Sequence, residues 1–278
     1  MEELKVGLQL YSVRDEMSKD MDATLKKVKD MGYDYVEFAG YFGKTAEEVL
    51  SLLKKHDLKC MSVHQAYEVF LKDEEESVSF LKTIGAKYSA MPWLDIDRHA
   101  GSDNFEQTKE EFIRVGNILK DAGITHLYHN HDFEFKTHEG KYLLDWLFES
   151  LPEDLLETQI DTCWVKYAGI DPAEYIKKYT ARAPIVHLKD FVSDENSSGP
   201  VYDLIDEEGK VGDRETSLSD NGFDYRPLGQ GIQDFPSIIE AASQAGVTYL
   251  IVEQDESNTC SQLEAAKISR EYLRSLKL

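Results

Sequence analysis

HLYHNHDFEF, residues 126–135, starts as a β-type run and ends in a cluster of histidine, asparagine and carboxylate side chains. Alternation along a strand puts His129 and His131 on one face and His126 with Asn130 on the other. The three histidines therefore cannot act on one metal together. Asp132 reads as a cap for the following loop. The stretch is one strand end contributing part of a site, and the remainder must come from elsewhere in the chain.

The same design recurs. β-type runs appear at Lys5–Ser12, Tyr35–Ala39, Lys59–His64, Lys87–Trp93, Thr125–His131, Thr158–Trp164, Pro184–Lys189 and Val247–Asp255. Between them lie amphipathic segments with apolar residues at helical spacing, such as TAEEVLSLLKKH and TKEEFIRVGNILKDAG. Gly32, Gly123 and Gly246 stand where helix C-caps belong, and Pro172 and Pro236 at first turns. Eight strands alternating with helices in 278 residues predict an α/β fold, a (β/α)8 TIM barrel forming one domain over 1–278. A doubly wound sheet fits less well, because LQLYSVRD lacks a Gly-rich phosphate turn after the first strand. Residues 190–234 break the rhythm and read as a long acidic loop or lid after the seventh strand.

Composition narrows the function classes. A net charge of −22 argues against nucleic acid and against an anionic membrane surface as partners. Cys60, Cys163 and Cys260 are odd in number and widely spaced, which suits a reducing, cytoplasmic setting. No apolar run reaches the ~20 residues of a membrane helix.

In such a barrel, the C-terminal strand ends share one mouth, where catalysis sits. The fifth run ends on His129-Asn130-His131 with Glu134 beyond, the sixth on Asp161, the seventh on His187 and Lys189, the eighth on Glu253. A mixed set of oxygen and imidazole donors suits one divalent cation with open positions, Mn, Co or Mg ahead of Zn. Each residue alone has a plainer reading: His187 as a hydrogen-bonded core histidine, Asp161 as a turn cap, Glu253 as a partner for Lys189.

With GLQLYSVRD, YVEFAGY, SVHQ, LYHNHDFEF, IDTCWV, HLKD, LGQGIQDF and VEQD in view, the chain resembles the xylose isomerase-like TIM barrel superfamily, in its sugar phosphate isomerase/epimerase branch. The resemblance spans nearly the whole chain and implies one divalent metal held by a carboxylate, an Asp, a His and a Glu. Carried over, these are Asp161, His187 and Glu253, with the first position open. Either His129 replaces the carboxylate, or Glu134 reaches back to supply it. Glu134 is the expected ligand, since it restores three carboxylates and one histidine.

The implied chemistry is isomerisation or epimerisation of a sugar by proton abstraction alpha to a carbonyl, through an enediolate. Glu134 and Glu253 would be the acid/base pair, and Lys189 would stabilise an oxyanion or bind substrate. Dehydration of a keto-sugar or inosose begins with the same step and is the alternative. His64 and Glu37 at strand ends, and Gln9 and Tyr11 on one face of the first strand, are expected to contact a carbohydrate substrate. His131 joins that set, with Trp93 and Trp164 able to stack on a sugar ring. Gly229-Gln230-Gly231 is a weak phosphate signal with only Arg226 for a cation nearby, so a neutral substrate fits better. The resemblance also implies a homo-oligomer, as members are often dimers or tetramers.

Overall fold

Every β-type run becomes a strand of one closed parallel barrel in the computed structural model, which describes residues 4–193 and 222–278. The strands are β1 (Lys5–Gln9), β2 (Tyr35–Phe38), β3 (Lys59–His64), β4 (Tyr88–Met91), β5 (Thr125–His129), β6 (Glu157–Asp161), β7 (Ile185–Leu188) and β8 (Tyr249–Val252). Each pairs with its sequence neighbours, and β8 closes onto β1 through Lys5↔Tyr249 to Leu8↔Val252. Helices pack around this barrel with the expected punctuation. Gly32 and Gly246 adopt left-handed backbone at helix ends, and Thr45 with Glu48 forms a reciprocal capping box. The architecture is a single (β/α)8 TIM barrel. Among the described residues, no helix is long and apolar enough to cross a membrane.

The barrel interior is layered by alternation. Met61, Ala90, Leu127, Ile185, Tyr249 and Ile251 form a buried apolar cluster toward the N-terminal ends of the strands. Gly7 belongs to this level, since a Cβ there would stand 2.8 Å from Ile251 Cδ1. One or two residues further along the strands the inward positions turn polar: Gln9, Glu37, His129, Gln159, Asp161 and His187. Register aligns them. Gln9 pairs with Glu37, His129 with Gln159, and Asp161 with His187. The β2–β3 register shifts between Val36 and Glu37, a local irregularity of the kind that re-aims a side chain.

The strands stop earlier than their sequence runs. β1 ends at Gln9 because Leu10–Val13 wind into a 3-10 turn, and Gln9 Oε1 accepts the Tyr11 N–H at 3.0 Å. Tyr11 therefore leaves the face it was expected to share with Gln9, and its half-buried ring lies 4.2 Å from the Arg14 guanidinium. Asp132 precedes the turn Phe133–Phe135 but makes no capping hydrogen bond to it, contrary to expectation.

Of the stretch read as a lid over 190–234, residues 194–221 lie outside the described residues. Its flanks, Asp190–Ser193 and Phe223–Arg226, pair as an antiparallel ribbon. The Gly229-Gln230-Gly231 turn has an internal use. Gly229 and Gly231 N–H groups donate to Asp190 Oδ2 at 2.9 Å each, and Gln233 N–H donates to Oδ1 at 3.2 Å. Asp190 thus occupies the place an incoming phosphate would need.

Candidate metal centre and active site

Four strand ends converge at the mouth. His129, Asp161, His187 and Glu253 each offer a donor atom, and these atoms lie within 4.8 Å of one another. All four side chains are buried. His64 forms an overlapping group with His129 and His187.

Each donor is aimed by a second contact. Asp161 Oδ1 accepts the N–H of Cys163 at 2.8 Å and of Trp164 at 3.4 Å, capping the helix Thr162–Tyr167. Asn130 holds the same residue by its backbone, accepting the Asp161 N–H at 3.0 Å. That leaves Asp161 Oδ2 facing the mouth, 3.1 Å from Lys189 Nζ. The plainer reading of Asp161 as a cap is satisfied by Oδ1, and Oδ2 remains in the group of atoms that could hold a metal. His129 Nδ1 lies 3.2 Å from Gln159 Oε1, which as an acceptor places the proton on Nδ1 and leaves the Nε2 lone pair for a metal.

Two cations sit among the carboxylates of the mouth. Lys189, fully buried, places its ammonium 3.0–3.1 Å from Asp161, Glu253 and Asp255. His187 bridges Glu253 and Glu37 at 2.8 Å on either side. Burial disfavours its cation, but the two carboxylates outweigh this and push its pKa up to about 10. Glu253 is opposed by burial yet held well below the usual carboxylate range by Lys189 and His187. Burial raises Asp161 to about 6 against the pull of Lys189. Burial and the neighbouring His187 and His64 keep His129 neutral, whereas His187 would have to give up its proton to bind a metal.

Glu37 is the hub of a further polar layer. Its carboxylate accepts from Gln9 Nε2 at 2.8 Å and Gln159 Nε2 at 2.6 Å, with His64 Nε2 3.0 Å away. His64 also lies 2.7 Å from Gln159 Oε1.

Glu134 stands apart from the donor group. Its Oε1 accepts the Tyr128 hydroxyl at 2.6 Å and its Oε2 the His131 N–H at 2.9 Å. Burial raises its pKa to about 8, against the lowering effect of those bonds. The side chain turns back to stitch its own loop, so the expected first ligand lies outside the group of donors that could hold a metal, and His129 lies within it. Trp93 is half-buried and T-shaped against His131 at 4.9 Å, forming one wall of the mouth. Trp164 is fully buried, stacked on Phe223 at 5.7 Å with Lys189 5.3 Å from its ring centre. Its ring centre also lies 6.0 Å from that of His131.

Sequence reasoning passed over Gln159, Asn130 and Asp255. Gln159 was legible, being two residues before Asp161 and hence on the same strand face. Asp255, which also accepts the Tyr225 hydroxyl at 2.8 Å, closes the VEQD motif just past β8 but was given no role there.

A family model described as a xylose isomerase-like TIM barrel matches residues 25–276. An inosose dehydratase of Geobacillus kaustophilus is 24% identical over 280 residues, covering 92% of this chain and 87% of that protein. Against a Clostridium botulinum protein of the same name the match is 26% over 184 residues, and the chain spans 58% of that protein's length. A solved sugar phosphate isomerase/epimerase of Parabacteroides distasonis superposes with a TM-score of 0.76 at 22% identity, covering 98% of each chain. A solved IolI protein with a bound zinc atom superposes at 0.69, 15% identical, again over 98% of each chain. The two superpositions speak for the fold.

Proposed function

The chain belongs to the xylose isomerase-like TIM barrel family, and we propose that it is a divalent-metal-dependent enzyme that removes a proton alpha to the carbonyl of a neutral polyhydroxylated ketone, with loss of water to follow. The convergence of His129, Asp161, His187 and Glu253 within 4.8 Å carries this reading. The donor set fits a resident cation. Asp161 Oδ2 and His129 Nε2 are left over by contacts that tie up their partner atoms, and two imidazoles with two carboxylates suit Mn, Co or Zn better than Mg. When bound there, the cation supplies Lewis-acid polarisation of the substrate carbonyl.

The chain's own groups do the proton work. Glu253, kept ionised beside Lys189 and His187, is the base that takes the alpha proton. The electron pair forms the enediolate. Lys189 gives a proton to the beta hydroxyl as its C–O bond breaks, and the group leaves as water. Gln9, Glu37, Gln159 and His64 form a mutually hydrogen-bonded lattice that fixes the site's shape. His131 and Trp93 wall it from solvent.

Elimination is favoured over epimerisation by the position of Glu134. Two-base epimerisation needs a carboxylate on each face of the substrate, and the second candidate is bonded to Tyr128 and the His131 backbone. An acid–base pair of Lys189 and Glu253 suits a lyase. The inosose dehydratase relatives point the same way. The absence of a free N–H cradle at 229–231 supports a substrate without phosphate.

The test is incubation of metal-loaded protein with inososes and keto-sugars in D2O. A dehydrated product is expected. Deuterium exchange or stereochemical inversion without dehydration would replace elimination with epimerisation. No exchange with any of these ketones would reject the proton-abstraction reading itself.

A further inference from the structure

We propose that the N-terminal face of the barrel, opposite the mouth, carries a second binding site, for a small organic anion with an apolar body. A cavity of about 310 Å³ opens there beside the starts of β1, β2, β3 and β8. Lys5, Lys54, Lys59 and Lys87 line it, and no aspartate or glutamate does among the described residues. This is a marked departure for a chain with 53 acidic and 31 basic residues. Four ammonium groups gathered without a carboxylate repel one another, and an anion among them relieves that repulsion.

Among the described residues, no aspartate or glutamate lies within ion-pair distance of any of these four lysines. Lys29, for comparison, is bridged by Asp34 and Asp57 at 2.7 and 3.0 Å. Lys5 and Lys59 instead lie over the rings of Tyr249 and Tyr35, at 5.4 and 5.8 Å from the centroids. Such contacts hold these two ammonium groups at the cavity wall without neutralising them, and Asp57 acts on Lys59 only from outside the cavity lining. Their backbones are fixed by barrel hydrogen bonds, Lys5 N–H to Thr248 O and Lys59 N–H to Asp34 O, both at 3.0 Å. Lys5 and Lys59 are therefore carried on fixed strand starts, with Lys54 supplied by the helix Ala46–Lys55.

The floor decides the rest of the ligand. Leu53, Leu58, Met61 and Ile84 line the cavity beneath the lysines. A free phosphate would leave that floor bare, and a neutral hydrocarbon would leave the charges bare. An aryl or alkyl chain ending in phosphate, sulfate or carboxylate meets both, and the volume suits a compact molecule of this kind. Lysine provides point charges without a planar fork, so no particular anionic head is demanded.

Phenyl phosphate is the probe, with phenol as its neutral counterpart, titrated calorimetrically into the full chain. Saturable binding with a Kd below about 1 mM is expected, weakening as salt is raised. Lys54, Lys59 and Lys87 are exposed, so a K54Q/K59Q/K87Q variant keeps its fold, checked by circular dichroism. At roughly two- to five-fold per exposed charge, that variant should bind at least about ten-fold more weakly. Equal binding of phenol, no saturation by about 10 mM, or binding unchanged in the triple variant would each overturn the site.

Discussion

Glu134→Gln should separate the metal-ligand role expected of this residue from the loop-holding role its hydrogen bonds give it. Its carboxyl is fully buried, accepts two hydrogen bonds and titrates near pH 8 against an ordinary 4.5. Between those values the folded chain keeps the proton and the unfolded chain has lost it. The folded state binds more protons there, so stability falls as pH rises through the window, and the loss is complete above the folded pKa. The gap of about 3.5 pH units, at ~1.4 kcal/mol each, sets a ceiling near ~5 kcal/mol. Glutamine is neutral at every pH: its Oε1 can take the His131 N–H, and its amide can donate to the Tyr128 hydroxyl oxygen, with the bond from Tyr128 reversed. Denaturant unfolding of both proteins should therefore diverge with pH. Near pH 5 they should match within about 1 kcal/mol, and by pH 9 the variant should be more stable by several. Metal content supplies an independent readout. E134Q should retain its full complement, while His129→Ala should lose most of it. A stability difference that stays flat from pH 5 to 9 would refute the buried-acid argument, and loss of metal from E134Q would restore Glu134 as the ligand.

Lys189→Met removes the cation between Asp161, Glu253 and Asp255, leaving those carboxylates to repel one another in a dry site. Metal-free protein should lose about 3–5 kcal/mol, a fall in Tm of roughly 10 °C, largely recovered by saturating divalent metal. A variant within about 2 °C of the parent before metal is added would contradict the charge balance described for the site. Gly231→Ala places a Cβ 2.2 Å from Asp190 Oδ1 and 2.4 Å from Phe191 O. The turn must open, and thermal denaturation should show a loss of about 2 kcal/mol or more; unchanged stability would mean that Asp190 does not organise this turn.

The fold was legible because alternation and helical periodicity agree along almost the whole chain. LQLYS was the instructive exception. Its apolar alternation runs on past Gln9, but a side-chain acceptor at Gln9 Oε1 captures the Tyr11 N–H and turns the chain out of the sheet. Propensity had no means of seeing that bond. Asp161, His187 and Glu253 were legible for a related reason: a carboxylate or imidazole closing a β-type run has few places to point except the barrel mouth.

What stayed hidden was any choice made by side-chain rotation. HLYHNHDFEF places His129 and Glu134 five residues apart, and both are chemically able to bind a metal. The family resemblance favours Glu134, since a carboxylate completes the donor set it implies. Local hydrogen bonding favours His129. Once the chain leaves β5, the His131 N–H has no strand partner, and the Tyr128 hydroxyl is buried beside it. A buried donor left unmatched costs about 1–3 kcal/mol, and Glu134 satisfies both donors in a single rotamer. His129 needs no such rescue: it is the last residue of β5, faces Gln159 across the sheet, and receives its tautomer from that neighbour. The loop's need for a buried acceptor thus decides which residue remains available for a metal.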